Sequence, residues 1–196
     1  MLVKVQHAID RLALIAVWIG GSALLIAAFG VSIDVILRKL FGITLAGSDE
    51  LSGYVLAIAT TWAFALVLRK KGNVRIDVLY RLMPEKVRLA LDVISFLALG
   101  GFLFVMARSA FILAWNTTRD GAISVTPLQT PLAIPQILWV LGFLITLLMW
   151  LVIFFRTVDS LRKKDWRTSF ELIGSDSVEQ EINNELGDSA KKRAVQ

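Results

Sequence analysis

The fold is decided by residues 48–84, which read SDELSGYVLAIATTWAFALVLRKKGNVRIDVLYRLMP. This stretch opens with the acidic pair Asp49 and Glu50, and the uncharged segment Leu51–Leu68 follows. An uncharged apolar run of this length is typical of a transmembrane helix, since ~20 residues cross the hydrocarbon core of a bilayer. The basic turn Arg69-Lys70-Lys71 closes the segment. The stretch therefore predicts one membrane span with acid at one end and base at the other.

The composition of the whole chain supports a membrane class. Its 196 residues are 56% hydrophobic and have a mean hydropathy of +0.68, which is too apolar for an ordinary soluble domain. The sequence contains no cysteine, which excludes disulfides and cysteine-ligated metals. A net charge of +5 would suit nucleic-acid binding, but the basic residues flank apolar spans, where membrane topology explains them. We therefore expect no nucleic-acid partner.

Three further apolar segments predict three more spans. The four spans cover about 12–33, 51–68, 88–112 and 135–155. The expected fold class is all-α: a polytopic membrane protein with four transmembrane helices and short interfacial amphipathic helices. The four-helix membrane domain would occupy residues 1–167. The tail, 168–196, is polar with mixed charge, so we expect it to be disordered in the cytoplasm.

The distribution of Lys and Arg predicts which span ends share a side of the membrane. Fourteen of these residues lie in the N-terminal lead, the connection between spans two and three, and the segment after span four. On the other side lie Arg38, Lys39 and Arg119, with Arg108 as a fourth. Because basic loops remain in the cytoplasm, we expect both termini there. The acidic start of span two would then face the periplasm.

Two parts of the decisive stretch are candidates for contact with other helices or with lipid. Small residues recur every four positions along span two, at Gly53, Ala57, Thr61 and Ala65. Such a series lets another helix approach closely, either inside the chain's own bundle or in a partner subunit. Residues 75–83 place their large apolar side chains on one helical face. That pattern predicts a short helix lying at the membrane interface.

Arg108 is the base most deeply embedded in a span. Charge inside a membrane is costly, so one interpretation is contact with an ion or a substrate. The alternative is that the side chain reaches the outer interface and pairs with Asp34, Asp49 or Glu50. Asp34 also has Arg38 four residues later, so the helix of span one is expected to continue past the membrane.

The other charged residues have simpler expectations. Asp92 lies four residues after Arg88, and the two would pair near the inner interface. Asp49 and Glu50 suit the first turn of a helix, where the dipole favours negative charge, or contact with another subunit. The basic turn Arg69-Lys70-Lys71 is expected to bind lipid headgroups and hold the topology.

No enzymatic constellation occurs in the sequence. The single histidine, His7, lies outside the spans, which argues against a bis-histidine haem. There is no Walker A motif, nucleophile elbow or metal-binding cluster. We therefore predict a protein that is not an enzyme and holds no cofactor. An autonomous homo-oligomeric channel or carrier is the alternative function, and it would need Arg108 and Asp92 to line a pathway.

Three motifs, in order, resemble the small membrane subunit of the tripartite ATP-independent periplasmic (TRAP) transporters. The first is Asp49-Glu50-Leu51, similar to an acidic pair followed by leucine. The second is residues 69–79, RKKGNVRIDVL, similar to the family's basic–Gly–x–His–(I/V)–x–(I/V)–Asp run. The third is Leu132-Ala133-Ile134-Pro135, similar to Leu-x-Ile-Pro. The resemblance covers about residues 10–160.

The second motif departs from the family pattern. Counted back from Asp77, Asn73 stands where the family often has histidine, and the glycine falls one place later. Asparagine can form hydrogen bonds but does not titrate near neutral pH, so proton transfer at this position is not expected. Asn73, Arg75 and Asp77 are candidate partner or packing residues, as is Pro135 of the third motif.

The resemblance implies a function for the chain. It would be a non-catalytic subunit that binds the larger membrane subunit and serves as a scaffold for it in the bacterial inner membrane. A periplasmic binding protein would deliver an organic acid, commonly a carboxylate, and a sodium gradient would drive its uptake. The partners would be these two proteins and the membrane lipids.

Overall fold

The computed structural model describes residues 2–71, 83–163 and 172–173. Its four long helices are α1, Leu2–Phe41; α2, Ser48–Arg69; α3, Glu85–Asp120; and α4, Ala133–Arg162. The described residues contain no strand, only an isolated β-bridge between Ile123 and Pro131. Each of the four helices is long and apolar enough to cross a membrane. The predicted all-α class with four transmembrane helices is confirmed.

Glycines, rather than charges, end the first and third helices. α1 continues beyond the apolar run to Phe41, and the N–H of Gly42, at φ +67°, donates to the carbonyl of Arg38. α3 likewise continues to Asp120 and ends at Gly121, at φ +61°. Glycine adopts this left-handed conformation without the steric cost that other residues meet, so it closes a helix. The helices are therefore longer than the spans expected from apolar runs.

The chain divides into two compact units. The first contains α1, α2, α3 from Leu97 onward and α4 as far as Phe154. The second contains the start of α3, up to Phe96, and α4 from Phe155. Among the described residues of the second unit, Asp92, Thr157 and Ser160 are buried polar or charged side chains. An exposed ion pair joins Lys163 to Asp159 there, at 2.7 Å.

The core of the first unit forms where α3 packs on α4. Three alanines of α3, Ala107, Ala110 and Ala114, face Val140 and Phe143 of α4. Their spacing of three and four residues places them on one side of the helix. Small side chains there leave room for the large ones of α4, which is how helices pack closely inside a membrane.

Two glycines mark where α2 meets its neighbours. A Cβ atom added to Gly20 of α1 would lie 3.0 Å from the Cα of Ala59. One added to Gly142 of α4 would lie 2.5 Å from Oγ1 of Thr61 and 2.8 Å from its backbone carbon. The indole N–H of Trp62 also donates to the carbonyl of Leu138, at 2.9 Å. α2 is therefore packed between α1 and α4 along this part of its length.

Candidate functional site

A buried carboxylate closes the connection between α1 and α2. Asp34 lies in an apolar helix, yet its relative exposure is 0%. One oxygen accepts a 2.5 Å hydrogen bond from the backbone N–H of Leu45, and the other accepts one of 2.5 Å from Arg38. Leu45 belongs to the connection, where no helix supplies an acceptor for its N–H. Asp34 therefore anchors that connection. The i,i+4 spacing of Asp34 and Arg38 that the sequence showed corresponds to an ion pair in the structure.

A second carboxylate ties α2 to the connection between α3 and α4. Glu50 is half-buried in the first turn of α2, and it accepts hydrogen bonds from the hydroxyls of Tyr54, at 2.6 Å, and Thr126. Thr126 lies in a loop that folds back on itself, because the N–H of Ser124 donates to the carbonyl of Thr130 at 2.9 Å. Glu50 therefore holds this loop against the start of α2. Asp49, beside it, is exposed.

The same loop reaches the N-cap of α2. Gly47 takes this position at φ +90°, and a Cβ atom there would collide with the side chain of Leu128. Both the backbone conformation and the close approach therefore require glycine at this position. Gly47, Asp34, Glu50 and Thr126 together bring both connections to one end of the first unit, named here the loop end.

The small-residue series of α2 is divided between two environments. Thr61 and Ala65 are buried, with exposures of 3% and 0%, and Thr61 faces Gly142. Gly53 and Ala57 are exposed, and a Cβ atom at Gly53 would meet nothing within 4 Å. Internal packing, one of the two interpretations of the series, thus applies to its second half. The first half remains a candidate surface for a partner.

The basic turn after α2 contacts α1 through Arg69. The guanidinium of Arg69 lies 3.2 Å from a carboxylate oxygen of Asp10 in α1. Lys70 is exposed, and Lys71 is half-buried at φ +53°. The sequence indicated lipid headgroups as the partners of this turn, and it did not indicate Asp10, because an ion pair between residues 59 apart leaves no local pattern.

The remaining candidates fall into two groups. Asn73, Arg75 and Asp77 lie outside the described residues, as do most of the predicted interfacial helix, 75–83, and nearly all of the tail. Pro135 is described, and it is buried in the first turn of α4. A proline is tolerated in this turn because the first N–H groups of a helix have no intrahelical acceptor.

Arg108 does not form the predicted ion pair at the outer interface. It is exposed and has no hydrogen bond or ion pair with any residue that the structure describes. Asp34 instead pairs with Arg38, and Glu50 binds two hydroxyls, so both carboxylates are already satisfied. Asp92 is buried at 2% exposure.

Two buried hydroxyl groups within the helices are satisfied by their own helix. Thr61 donates to the carbonyls of Ala57 and Ile58, at 3.1 and 3.0 Å. Thr146 donates to the carbonyl of Gly142, at 2.9 Å. Such bonds occupy the hydroxyl proton and leave little polarity facing the interior. Within the described ranges, no three His, Cys, Asp or Glu side chains are grouped so that they could hold a metal ion.

Comparisons with known proteins agree with this architecture. The family model described as "Tripartite ATP-independent periplasmic transporters, DctQ component" matches residues 27–162. A 72-residue segment is 40% identical to the sialic acid TRAP transporter permease protein SiaT of Haemophilus influenzae (strain 86-028NP). That segment is 36% of this chain and 12% of SiaT, so the chain spans a small part of this relative. No solved structure matches the chain.

The family match confirms the resemblance drawn from the three motifs. It covers the last part of α1, from residue 27, and the whole of α2, α3 and α4. Four such helices and this family describe a multi-pass protein of the bacterial inner membrane. The chain belongs to the DctQ component family, the small permease subunits of TRAP transporters.

Proposed function

We propose that this chain is the non-catalytic scaffold of a sodium-driven TRAP transporter that takes up an organic acid. The observation that carries the proposal is the apolar core of the first unit, where α3 packs on α4. Its core is formed by alanine, valine and aromatic side chains, and the nearby hydroxyls of Thr61 and Thr146 donate to carbonyls of their own helices. A substrate or ion pathway needs polar groups that are free to exchange partners. The transport pathway would therefore lie in another subunit.

The substrate class is supported by a relative's name. SiaT is described as a sialic acid permease, and sialic acid carries a carboxylate. The two further partners proposed are a large membrane subunit, which would move against this chain, and a periplasmic binding protein, which would deliver the substrate. The membrane lipids would contact the remaining exposed apolar side chains.

The proposed topology has both termini in the cytoplasm, with the loop end in the periplasm. It rests on the excess of Lys and Arg in the N-terminal lead, after α2 and after α4. The membrane domain is proposed to extend to residue 167, with 168–196 as a cytoplasmic tail. Asp34 and Glu50 would then hold the periplasmic connections.

Purification of the tagged chain from its native membrane tests this function. After extraction in a mild detergent, we expect a larger polytopic membrane protein to be recovered with it. Liposomes that contain the chain alone should show no flux of organic acid under a sodium gradient, and liposomes that contain both proteins and the binding protein should. Recovery of the chain alone, or flux through it alone, would contradict the proposal.

A further inference from the structure

α3 has two long faces with opposite character. One face is buried, and it includes Leu103 and the three alanines packed on α4. A second face, about 100° further round the helix, carries large apolar side chains that are exposed by more than half: Phe104 by 61%, Phe111 by 55% and Trp115 by 63%. Arg108 lies among them. At ~100° per residue, these four residues lie within about 60° of the helix circumference. They are named here the Arg108 face.

The charge on this face has no partner among the described residues, although it lies within an apolar surface. Toward the nearer end of α3, Asp120, the apolar part of the helix ends at Trp115, seven residues or about 10 Å beyond Arg108. Helical side chains lean toward the N-terminus of their helix, so Arg108 leans away from this nearer end and toward Phe104. To reach lipid headgroups beyond Trp115, the guanidinium would have to turn back past its own Cα atom.

Two aromatic rings also stand between Arg108 and that end of the helix. Phe111 and Trp115 are stacked, with ring centroids 6.4 Å apart and planes inclined by 21°. Together they cover the route by which the guanidinium would reach the headgroup region. A carboxylate at the depth of Arg108 itself therefore satisfies the charge better than a lipid phosphate above it, and another membrane helix can present one there.

The surface beside Arg108 has room for such a helix. Gly101 lies two turns before Arg108 and points to the same side of α3. A Cβ atom added to it would meet nothing within 4 Å. The missing side chain leaves a depression next to Phe104, where the backbone of a second helix can approach α3 closely.

We propose that the Arg108 face docks a transmembrane helix of the large membrane subunit, and that a carboxylate on this helix pairs with Arg108. The proposal rests on the proposed function, which supplies the partner. Arginine suits this role because it stays charged and offers a planar fork of donors to a carboxylate. The flanking rings would exclude lipid and water from the pair, as the surroundings of a central interface residue do.

Co-purification of the tagged full-length chain with the large subunit tests the proposal. We expect Arg108→Ala to lower the amount of partner recovered by about tenfold or more, as for a central interface residue. Gly101→Leu should have a similar effect, because it fills the depression. Phe104→Ala should lower recovery, whereas Phe102→Ala should not. Phe102 is the matched control: it is 59% exposed, but lies on the other side of α3.

Each variant is also purified without the partner. Because these positions are exposed, the thermal midpoint of the chain alone should be unchanged, which separates docking from folding. Wild-type recovery of the partner with Arg108→Ala or Gly101→Leu would overturn the proposal. The proposal would also be overturned if native mass spectrometry showed that these variants lose bound phosphatidylglycerol but keep the partner. A lipid would then be the occupant of the Arg108 face. If the wild-type chain recovers no partner at all, the proposed function fails first.

Discussion

The two halves of α2 are held in place by different kinds of contact. The half that begins at Ser48 is held to the neighbouring loop by polar groups, chiefly Glu50, which accepts a hydrogen bond from the hydroxyl of Thr126. The half that ends at Arg69 is tied by close packing, in which Thr61 lies against Gly142. Polar contacts of this kind fix a loop locally, whereas close packing brings whole helices together. Loss of a polar contact should therefore loosen only a loop, whereas loss of close packing should destabilise the whole fold.

The same division explains the small-residue series. A step of four residues advances a helix by about 400°, so each small residue is turned by about 40° from the one before it. From Gly53 to Ala65 the series therefore turns by about 120°. A single straight neighbour cannot touch all of it, and α4 meets the part around Thr61. A repeat of small residues thus predicts close packing without predicting one common seam.

The largest expected effect breaks the packed half of α2. Gly142→Leu would force a side chain into the backbone of α2 at Thr61. Overpacking against backbone cannot be relieved by a rotamer change, so we expect a loss of about 3 kcal/mol or more, or no folded protein. Thermal unfolding in detergent, followed by tryptophan fluorescence, measures it. Gly53→Leu is the control and should change stability by less than about 0.5 kcal/mol. Equal effects would contradict the division.

The next effect loosens the connection that leads into α2. Asp34→Ala leaves the N–H of Leu45 without its acceptor and Arg38 without its carboxylate. We expect amide exchange in residues 42–47 to become about tenfold faster or more, because the loop opens locally. Hydrogen exchange with mass spectrometry measures it. Arg38→Ala, which keeps the bond to Leu45, should have a smaller effect; the reverse order would contradict the anchoring role.

A smaller effect is expected at Glu50. Glu50→Ala frees the hydroxyls of Tyr54 and Thr126, which water can satisfy at the loop end. We expect faster exchange in residues 121–132 and an unchanged midpoint of global unfolding. Thr126→Val combined with Glu50→Ala should add little to Glu50→Ala alone, since both remove one contact. Full additivity in this double-mutant cycle would argue against the contact.

The smallest effect is expected at the other end of α2. Arg69 is 46% exposed, so solvent screens its ion pair with Asp10. Arg69→Ala should cost about 0.5 kcal/mol or less. The difference from the wild-type chain should shrink further at high salt. Thermal unfolding at low and high ionic strength checks both statements, and a large salt-independent loss would show that the pair contributes more than an exposed bridge does.

The number and class of the helices could be predicted because long apolar runs have few structural outcomes. The faces of the helices could not. In a membrane, residues that face lipid and residues that face the core are both apolar, so the usual hydrophobic periodicity is lost. On α3, exposed Phe104 and buried Leu103 look alike in the sequence. The remaining sequence signal for a buried face is side-chain size, and the alanines at 107, 110 and 114 are its clearest example.

The polar contacts of the loop end divide in the same way. The pair of Asp34 and Arg38 could be predicted, because four residues in a helix bring two side chains together. The bond from Leu45 could not, because it depends on the path of a loop. Nor could the bond between Glu50 and Thr126, which are 76 residues apart. Glu50 and Tyr54, again four residues apart, form the second local contact of the loop end.

α1 is a single unbroken helix of 40 residues, so the number of residues between two of its contacts decides whether they face the same side. Five of its buried residues fall within one arc of about 80° around the helix axis: Gln6, Ile9, Ala13, Gly20 and Asp34. Deletion of a single residue between Gly20 and Asp34 would turn one contact away from the other by about 100°. The close approach to α2 and the anchored loop could then not both survive. The length of α1 between Gly20 and Asp34 thus matters to the fold as much as the identity of its residues.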